Sequence, residues 1–305
     1  MIIKTVMNAV SRSQTTEEHE NRIFLSLRIH REKAIFFFVI FPKKKKIKRN
    51  YFLRDGFNCV LFFFSCCHRC GRIVAEGRSI IPESDVNFLA PIDHMDKLAC
   101  VGLNYSGHCK EQGIDPPQSP VIFSKFPSNV VGPADNLVLP AISEKVDWEA
   151  ELAIVIGKKC KSLNNHEAED CIFGYTVAQD ISARDWQKGK RNGGQFLLGK
   201  AMDTFCPLGP AVVTKESIAD INNLSVKTWV NGDLKQDGNT SELIFKPRDI
   251  VAYISQFMTL LPGDVILTGT PAGVGFTRNP PEFLKKGDVL ETEIEGIGRL
   301  RNNVV

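Results

Sequence analysis

Beyond residue 85 the chain alternates short apolar runs with turn residues, and the spacing of those runs predicts its elements. Runs at 97–101, 121–123, 137–139, 150–156, 174–178, 211–213, 225–230, 264–268 and 289–294 are rich in β-branched residues and bounded by Gly, Pro, Asn or Asp, so they read as strands. Helical patterns are fewer and fall at 106–112, 166–170, 183–187 and 247–259. Asn231-Gly232 marks a hairpin turn, and Pro262-Gly263-Asp264 and Lys286-Gly287-Asp288 mark tight turns into strands. Many short strands with few helices predict a strand-dominated α+β domain rather than a doubly wound sheet.

One run differs from the others. Residues 147–157, Asp147-Trp148-Glu149-Ala150-Glu151-Leu152-Ala153-Ile154-Val155-Ile156-Gly157, read as a single strand that begins acidic and ends apolar. Side chains alternate along a strand, which puts Asp147, Glu149 and Glu151 on one face. Carboxylates at the edge of a core repel one another and lose hydration. A hard divalent cation with oxygen ligands would offset that, and a solvated acidic strand end is the equal alternative. A second strand, Gly174-Tyr175-Thr176-Val177-Ala178-Gln179-Asp180, also ends in an acid, so Glu149, Glu151 and Asp180 could supply the protein oxygens of a Mg²⁺ site.

Three further groups bear chemistry. If Ser182 caps a helix, Arg184 and Gln187 share its face within reach of a ligand near Asp180, and Lys200 is a further cation. His108 and Glu111 are three apart in Ser106-Gly107-His108-Cys109-Lys110-Glu111-Gln112-Gly113, a spacing at which a carboxylate orients an imidazole for acid–base work, and Gly113 would end that helix. Thr268-Gly269-Thr270-Pro271-Ala272-Gly273-Val274-Gly275 lacks the Lys-Ser/Thr of a phosphate loop and reads as a tight loop offering amides and a Thr hydroxyl to a small anion. Taken singly, each is also satisfied by an ordinary surface residue or salt bridge.

Composition divides the chain. Residues 1–75 hold 15 Lys+Arg against 5 Asp+Glu and 10 of the 20 phenylalanines; the remaining 23 Lys+Arg face 30 Asp+Glu. Phe and Lys blocks without a period do not build a core, so residues 1–79 are expected to be a poorly ordered, atypical N-terminus and 80–305 the folded domain. The Lys43-Lys44-Lys45-Lys46 run could be a nuclear signal, a phosphate-binding patch or solvated charge. Cys67-His68-Arg69-Cys70 has half a zinc-site spacing but no second pair. Nine cysteines without framework spacing suggest free thiols in a reducing compartment. No apolar run reaches the roughly 18–20 residues of a membrane span.

Read together, Val101-Gly102-Leu103-Asn104-Tyr105 with His108 and Glu111, Asp147-Trp148-Glu149-Ala150-Glu151-Leu152, Gly174-Tyr175 with Asp180, Ser182, Ala183, Arg184 and Asp185, Asp203-Thr204-Phe205-Cys206-Pro207-Leu208-Gly209-Pro210, and the 262–271 stretch resemble the fumarylacetoacetate hydrolase family from about Ile80 to Val305. The resemblance implies a mixed β-roll, a homodimer, and Mg²⁺ (or Ca²⁺ or Mn²⁺) on Glu149, Glu151 and Asp180. It implies a His108 and Glu111 dyad on a lid segment, and substrate contacts from Arg184, Gln187, Lys200 and Thr270; as a cation, Lys200 is expected to stabilise an enolate on that substrate. The substrates it implies are small 2-oxo or 1,3-diketo acids, with keto–enol tautomerisation of oxaloacetate first, and hydrolysis of acylpyruvates or decarboxylation of oxaloacetate as alternatives. A non-catalytic binding protein that keeps the fold is the rival from another class. A basic nucleic-acid or membrane-surface arm would require strongly salt-sensitive binding, and neither partner is expected. The resemblance implies mitochondrial placement, whereas residues 1–33 carry acids untypical of a transit peptide, so a cytoplasmic location stays open.

Overall fold

The computed structural model describes residues 40–42, 52–54, 80–82, 86–92, 94–187 and 192–305. They fall in two compact units, Met1–Leu89 and Ala90–Val305. In the first, β1 (Ile40–Pro42) pairs antiparallel with β4 (Val86–Phe88), and β2 (Phe52–Arg54) pairs parallel with β3 (Ile80–Pro82). The basic run at 43–46 and Cys67-His68-Arg69-Cys70 lie outside the described residues.

The second unit is built on a seven-stranded mixed sheet. Its strands are β5 (Leu98–Gly102), β6 (Val121–Lys125), β7 (Val130–Val131), β9 (Ala150–Ile156), β10 (Ile172–Gln179), β12 (Cys206–Thr214) and β15 (Val265–Leu267). They lie in the order β6-β5-β15-β9-β10-β12-β7. A four-stranded antiparallel sheet, β14-β13-β16-β17, comprises β13 (Ser225–Val230), β14 (Asp233–Asn239), β16 (Val289–Ile294) and β17 (Gly298–Asn303). A short pair joins β8 (Val146–Asp147) to β11 (Ser182–Ala183). Five helices are described: α1 (Ser106–Glu111), α2 (Asn165–Cys171), α3 (Arg184–Gln187), α4 (Leu197–Lys200) and α5 (Pro247–Phe257). The result is the strand-dominated α+β arrangement expected, a mixed β-roll rather than a doubly wound sheet.

Burial explains the central strand. Every residue of β9 is buried, because β15 and β10 flank it and both faces are covered. Ile154 and Tyr175 pack with Ile250 and Ile254 of α5, whose apolar residues fall on one side of the helix. Pro247 opens that helix, where its missing N–H costs nothing. On α2, Asn164 accepts from the His166 and Glu167 N–H groups while Glu167 reaches back to the Asn164 N–H.

The structure departs from the sequence pattern in four places. The run 147–157 is not one strand: Asp147 belongs to β8, Trp148 and Glu149 lie between strands, and β9 begins at Ala150. Leu137 makes an isolated bridge to Val304 instead of a strand. Ser182 lies in β11 and donates to the Asp180 carbonyl, so it caps nothing. β14 and β17 exist where polar residues hid them.

Strand direction gathers the motifs. β9 runs antiparallel to β10 and β15, and β15 runs parallel to β5. The start of β9 and the ends of β5, β10 and β15 therefore share one edge of the sheet. Asn104, just past β5, clamps that edge by donating to the Thr268 and Phe245 carbonyls and accepting from the Phe245 N–H.

Candidate active site

The carboxylates converge because of register. Glu151 pairs with Ala178 and Ala150 with Gln179, and the Asp180 N–H continues the ladder by donating 2.9 Å to the Glu149 carbonyl. Opposed residues point to the same face, so Glu149, Glu151 and Asp180 crowd together, with the small Ala178 leaving room beside Glu151. One oxygen from each lies within 4.8 Å of the others, and all three side chains are buried.

Three cations are built around them. Lys200 Nζ donates to Glu149 Oε2 and Asp180 Oδ2 at 2.6 Å each. Arg184 Nη1 meets Glu149 Oε1 at 2.7 Å and donates to Gln187 Oε1 at 2.7 Å. Arg184 Nη2 has no hydrogen-bond partner among the described residues. Lys125, on β6, gives its three protons to the carbonyls of Ile181, Phe205 and Lys200, so its contact of 2.9 Å with Asp180 Oδ1 is one of charge without a proton to share. Among the described residues Asp180 Oδ1 is correspondingly a buried oxygen without a hydrogen bond. α4 can approach α3 because residue 199 is glycine: a Cβ there would stand 2.4 Å from the Gln187 nitrogen.

Burial and charge pull the acids apart. Burial would raise Glu149, but Lys200 and Arg184 outweigh it and hold that carboxyl well below the usual range. Burial pushes Glu151 well up, reinforced by Asp180 and Glu149 and opposed by Lys200 and the Gly269 N–H. Burial would depress Lys200, yet Asp180 and Glu149 keep it above its ordinary value. Hard oxygen donors, an Asp180 oxygen that accepts no hydrogen bond among the described residues, and three carboxylates this close suit a divalent cation. Glu149, Glu151 and Asp180 are the residues that could hold one.

The glycine loop at 268–277 closes the edge. Gly269 donates 2.5 Å to Glu151 Oε2, at φ 101° and with Asn104 Cβ 2.8 Å from where a Cβ would sit, so only glycine fits. The Thr270 hydroxyl accepts from Gln236 Nε2 at 2.8 Å, which leaves its own proton to donate. Gln236 Oε1 and Gln179 Oε1 accept from the Ala150 and Glu149 N–H groups where β9 starts, tying this edge to the four-stranded sheet. On α1, His108 Nδ1 lies 2.5 Å from Glu111 Oε1, while Glu111 Oε2 accepts from the Gly273 N–H and the Thr277 hydroxyl. The charge of His108 acts on the Glu149 carboxyl.

Glu149, Glu151, Asp180, Arg184, Gln187, Lys200, Thr270, His108 and Glu111 thus belong to one hydrogen-bonded neighbourhood, but some members were missed. Asp147, which the alternation places beside Glu149 and Glu151 but outside the expected ligand set, is a pin: it accepts from the Trp148, Gly275 and Phe276 N–H groups and from Arg184 Nε. Only the β8 and β11 pairing makes that visible. Asp147→Asn would turn one acceptor oxygen into a donor facing N–H groups. Its expected cost is about 2–4 kcal/mol, a melting temperature lower by about 5–15 °C. Thermal unfolding checks this, and a melt within about 2 °C of the parent would remove Asp147 as the pin. Lys125 and Gln236 also went unread. A separate cleft of about 410 Å³ beside α5, bordered by Leu163, Phe245 and Tyr253, includes none of these site residues.

A buried carboxylate triad flanked by lysine, arginine and a histidine–glutamate pair, at one edge of a mixed β-roll, defines a class, and residues 97–305 match the family described as fumarylacetoacetate (FAA) hydrolase C-terminal. The chain belongs to that family. Within it, the chain is 56% identical over 234 residues to the human protein named oxaloacetate tautomerase FAHD2A, mitochondrial, covering 77% of this chain and 74% of that one. The solved structure of 2-hydroxyhepta-2,4-diene-1,7-dioate isomerase from Mycobacterium marinum is similar at 46% identity with a TM-score of 0.64, covering 74% of this chain and 80% of that one. Fumarylacetoacetate hydrolase from Exiguobacterium antarcticum is similar at 42% identity with a TM-score of 0.66, covering 72% and 78%. Among the described residues no helix is long and apolar enough to cross a membrane.

Proposed function

We propose that this chain is a Mg²⁺-dependent oxaloacetate tautomerase, working as a homodimer in mitochondria, with residues 80–305 as its catalytic domain. The observation that carries the reading is the buried triad of Glu149, Glu151 and Asp180, hydrogen-bonded to Lys200 and ion-paired to Arg184. Its likeness to a relative named oxaloacetate tautomerase selects the reaction. Glu149, Glu151 and Asp180 hold the cation, which when bound supplies Lewis-acid polarisation of the 2-oxo oxygen.

The rest is done by the chain's own groups. Arg184 Nη2, a donor with no hydrogen-bond partner among the described residues, takes a substrate carboxylate, and Gln187 keeps the guanidinium in plane with it. The Thr270 hydroxyl donates to an anionic oxygen at the other end. Lys200 spends two protons on Glu149 and Asp180 and directs the third at the oxygen where negative charge develops. His108, aimed by Glu111, exchanges a proton at the carbon next to the oxo group. The enol O–H loses a proton and becomes the carbonyl, the carbon gains one, and the C=C between them becomes a single bond. Cleavage of an acylpyruvate passes through a similar enolate, so a C–C hydrolase is the second reading, favoured by the 42% identity to a hydrolase.

The test is to follow enol-oxaloacetate loss by ultraviolet absorbance with Mg²⁺, with Mn²⁺ or Ca²⁺, and after chelation, beside acylpyruvate cleavage and oxaloacetate decarboxylation. The expected result is metal-dependent tautomerisation above both other reactions. Faster acylpyruvate cleavage would transfer the chain to the hydrolase reading. A chelated protein as active as the Mg²⁺-loaded one would end the metal assignment.

A further inference from the structure

A third polar side chain is aimed at the imidazole. Gln112 follows the last residue of α1, four beyond His108, and its amide Nε2 lies 2.8 Å from His108 Nε2. On the opposite side of the ring, Nδ1 lies 2.5 Å from Glu111 Oε1. Both ring nitrogens are engaged.

The chemistry of the two partners orders the protons. Glu111 already accepts two donors on its other oxygen, from Gly273 and Thr277, at 2.8 and 3.0 Å. As a carboxylate it can only accept, so His108 Nδ1 carries a hydrogen and donates it. In the neutral ring Nε2 then bears the lone pair, and an amide N–H is the complementary group. We propose that Gln112 is a positioning residue: it holds neutral His108 in the tautomer with its lone pair on Nε2 and thereby makes Nε2 the nitrogen that exchanges protons with the substrate.

The inference rests on His108 as the acid–base group, and the two can fail separately. The charged groups around the ring are Glu111 on α1, Glu149, whose carboxyl feels the His108 charge, and Glu242, beside Gly107.

The experiment compares the parent protein with Gln112→Met, which keeps length and loses the donor, and Gln112→Glu, which puts a carboxylate at Nε2. Histidine-labelled samples loaded with Mg²⁺ are titrated by NMR, with His108 assigned from its loss in His108→Gln, and kcat/KM for enol-oxaloacetate is measured across the same pH range. In the parent the ring nitrogen shifts should report a lone pair on Nε2. His108 should titrate at higher pH in Gln112→Met, and higher still, by about one pH unit, in Gln112→Glu. The acid limb of kcat/KM should move in the same direction, whereas a merely structural role would lower the rate without moving the limb. A lone pair on Nδ1 in the parent, or a His108 titration common to all three proteins, overturns the assignment of Gln112. A parent-like rate in His108→Gln overturns the acid–base reading instead, whatever the ring titration shows.

Discussion

Glu149→Ala is expected to lower kcat/KM for enol-oxaloacetate by about 10³-fold or more and to destabilise the fold at the same time. The two losses have one origin. Glu149 gives one oxygen to Lys200 at 2.6 Å and the other to Arg184 at 2.7 Å, with both cations buried. Removing the carboxylate relieves repulsion on Glu151 and Asp180, which favours the variant. The direct contacts are closer: Lys200 keeps Asp180 and Arg184 keeps Asp147, but each buried cation loses one of its two acid partners, and breaking buried pairs costs about 3–5 kcal/mol. The second effect wins, and the melting temperature should fall by about 10 °C. Glu149→Gln keeps the shape and one acceptor for Lys200, so it should melt closer to the parent while remaining inactive. Thermal unfolding together with the ultraviolet assay decides the matter: a Glu149→Ala protein with parental stability and a rate within about tenfold would sink the site assignment.

Lys125→Met is the second large effect, although Lys125 touches no substrate in the proposed mechanism. The lysine is fully buried, and its three N–H groups satisfy the carbonyls of Ile181, Phe205 and Lys200. Methionine has nearly the same length and no donor. The Ile181 and Lys200 carbonyls would lose the ammonium donor, the Phe205 carbonyl would keep the Ile181 N–H, and Asp180 would lose its neighbouring charge, for about 4 kcal/mol in total once relaxation is allowed. Because those carbonyls flank Asp180 and end the helix bearing Lys200, the triad should also loosen. Calorimetric titration with Mg²⁺ should report weaker binding even where the variant remains folded. Arginine should not rescue it, since a planar fork cannot direct three donors to three separate carbonyls. A Met variant with unchanged melting and unchanged Mg²⁺ affinity would show that the buried ammonium is only filler.

How much of this was written in the sequence depends on how local each signal is. The Glu149, Glu151 and Asp180 set was legible because a period of two puts Glu149 and Glu151 on one face and Asp180 follows the end of a second apolar strand. The His108 and Glu111 pair was legible as a spacing of three on a helix. The break at Trp148 was not, because alternation carries no mark of where a chain changes strand partners. Lys125 closes an apolar strand and looks like a solvated terminus until the fold lays three carbonyls around it. Asp233-Leu234-Lys235-Gln236-Asp237-Gly238-Asn239 has a single apolar residue, so nothing announced β14 except the Asn231-Gly232 turn. Its inward-facing Gln236 is held by hydrogen bonds rather than by apolar burial.

Glu111 divides its two oxygens between different tasks. One aims His108; the other fastens Gly273 and Thr277, in the same loop that brings Gly269 to Glu151 and Thr270 to the site. Slackening of the loop and misaiming of the imidazole are thereby one event rather than two. Admission of a ligand and readiness for proton transfer then share a single conformational clock, so hydrogen exchange at the Gly273 amide would time both.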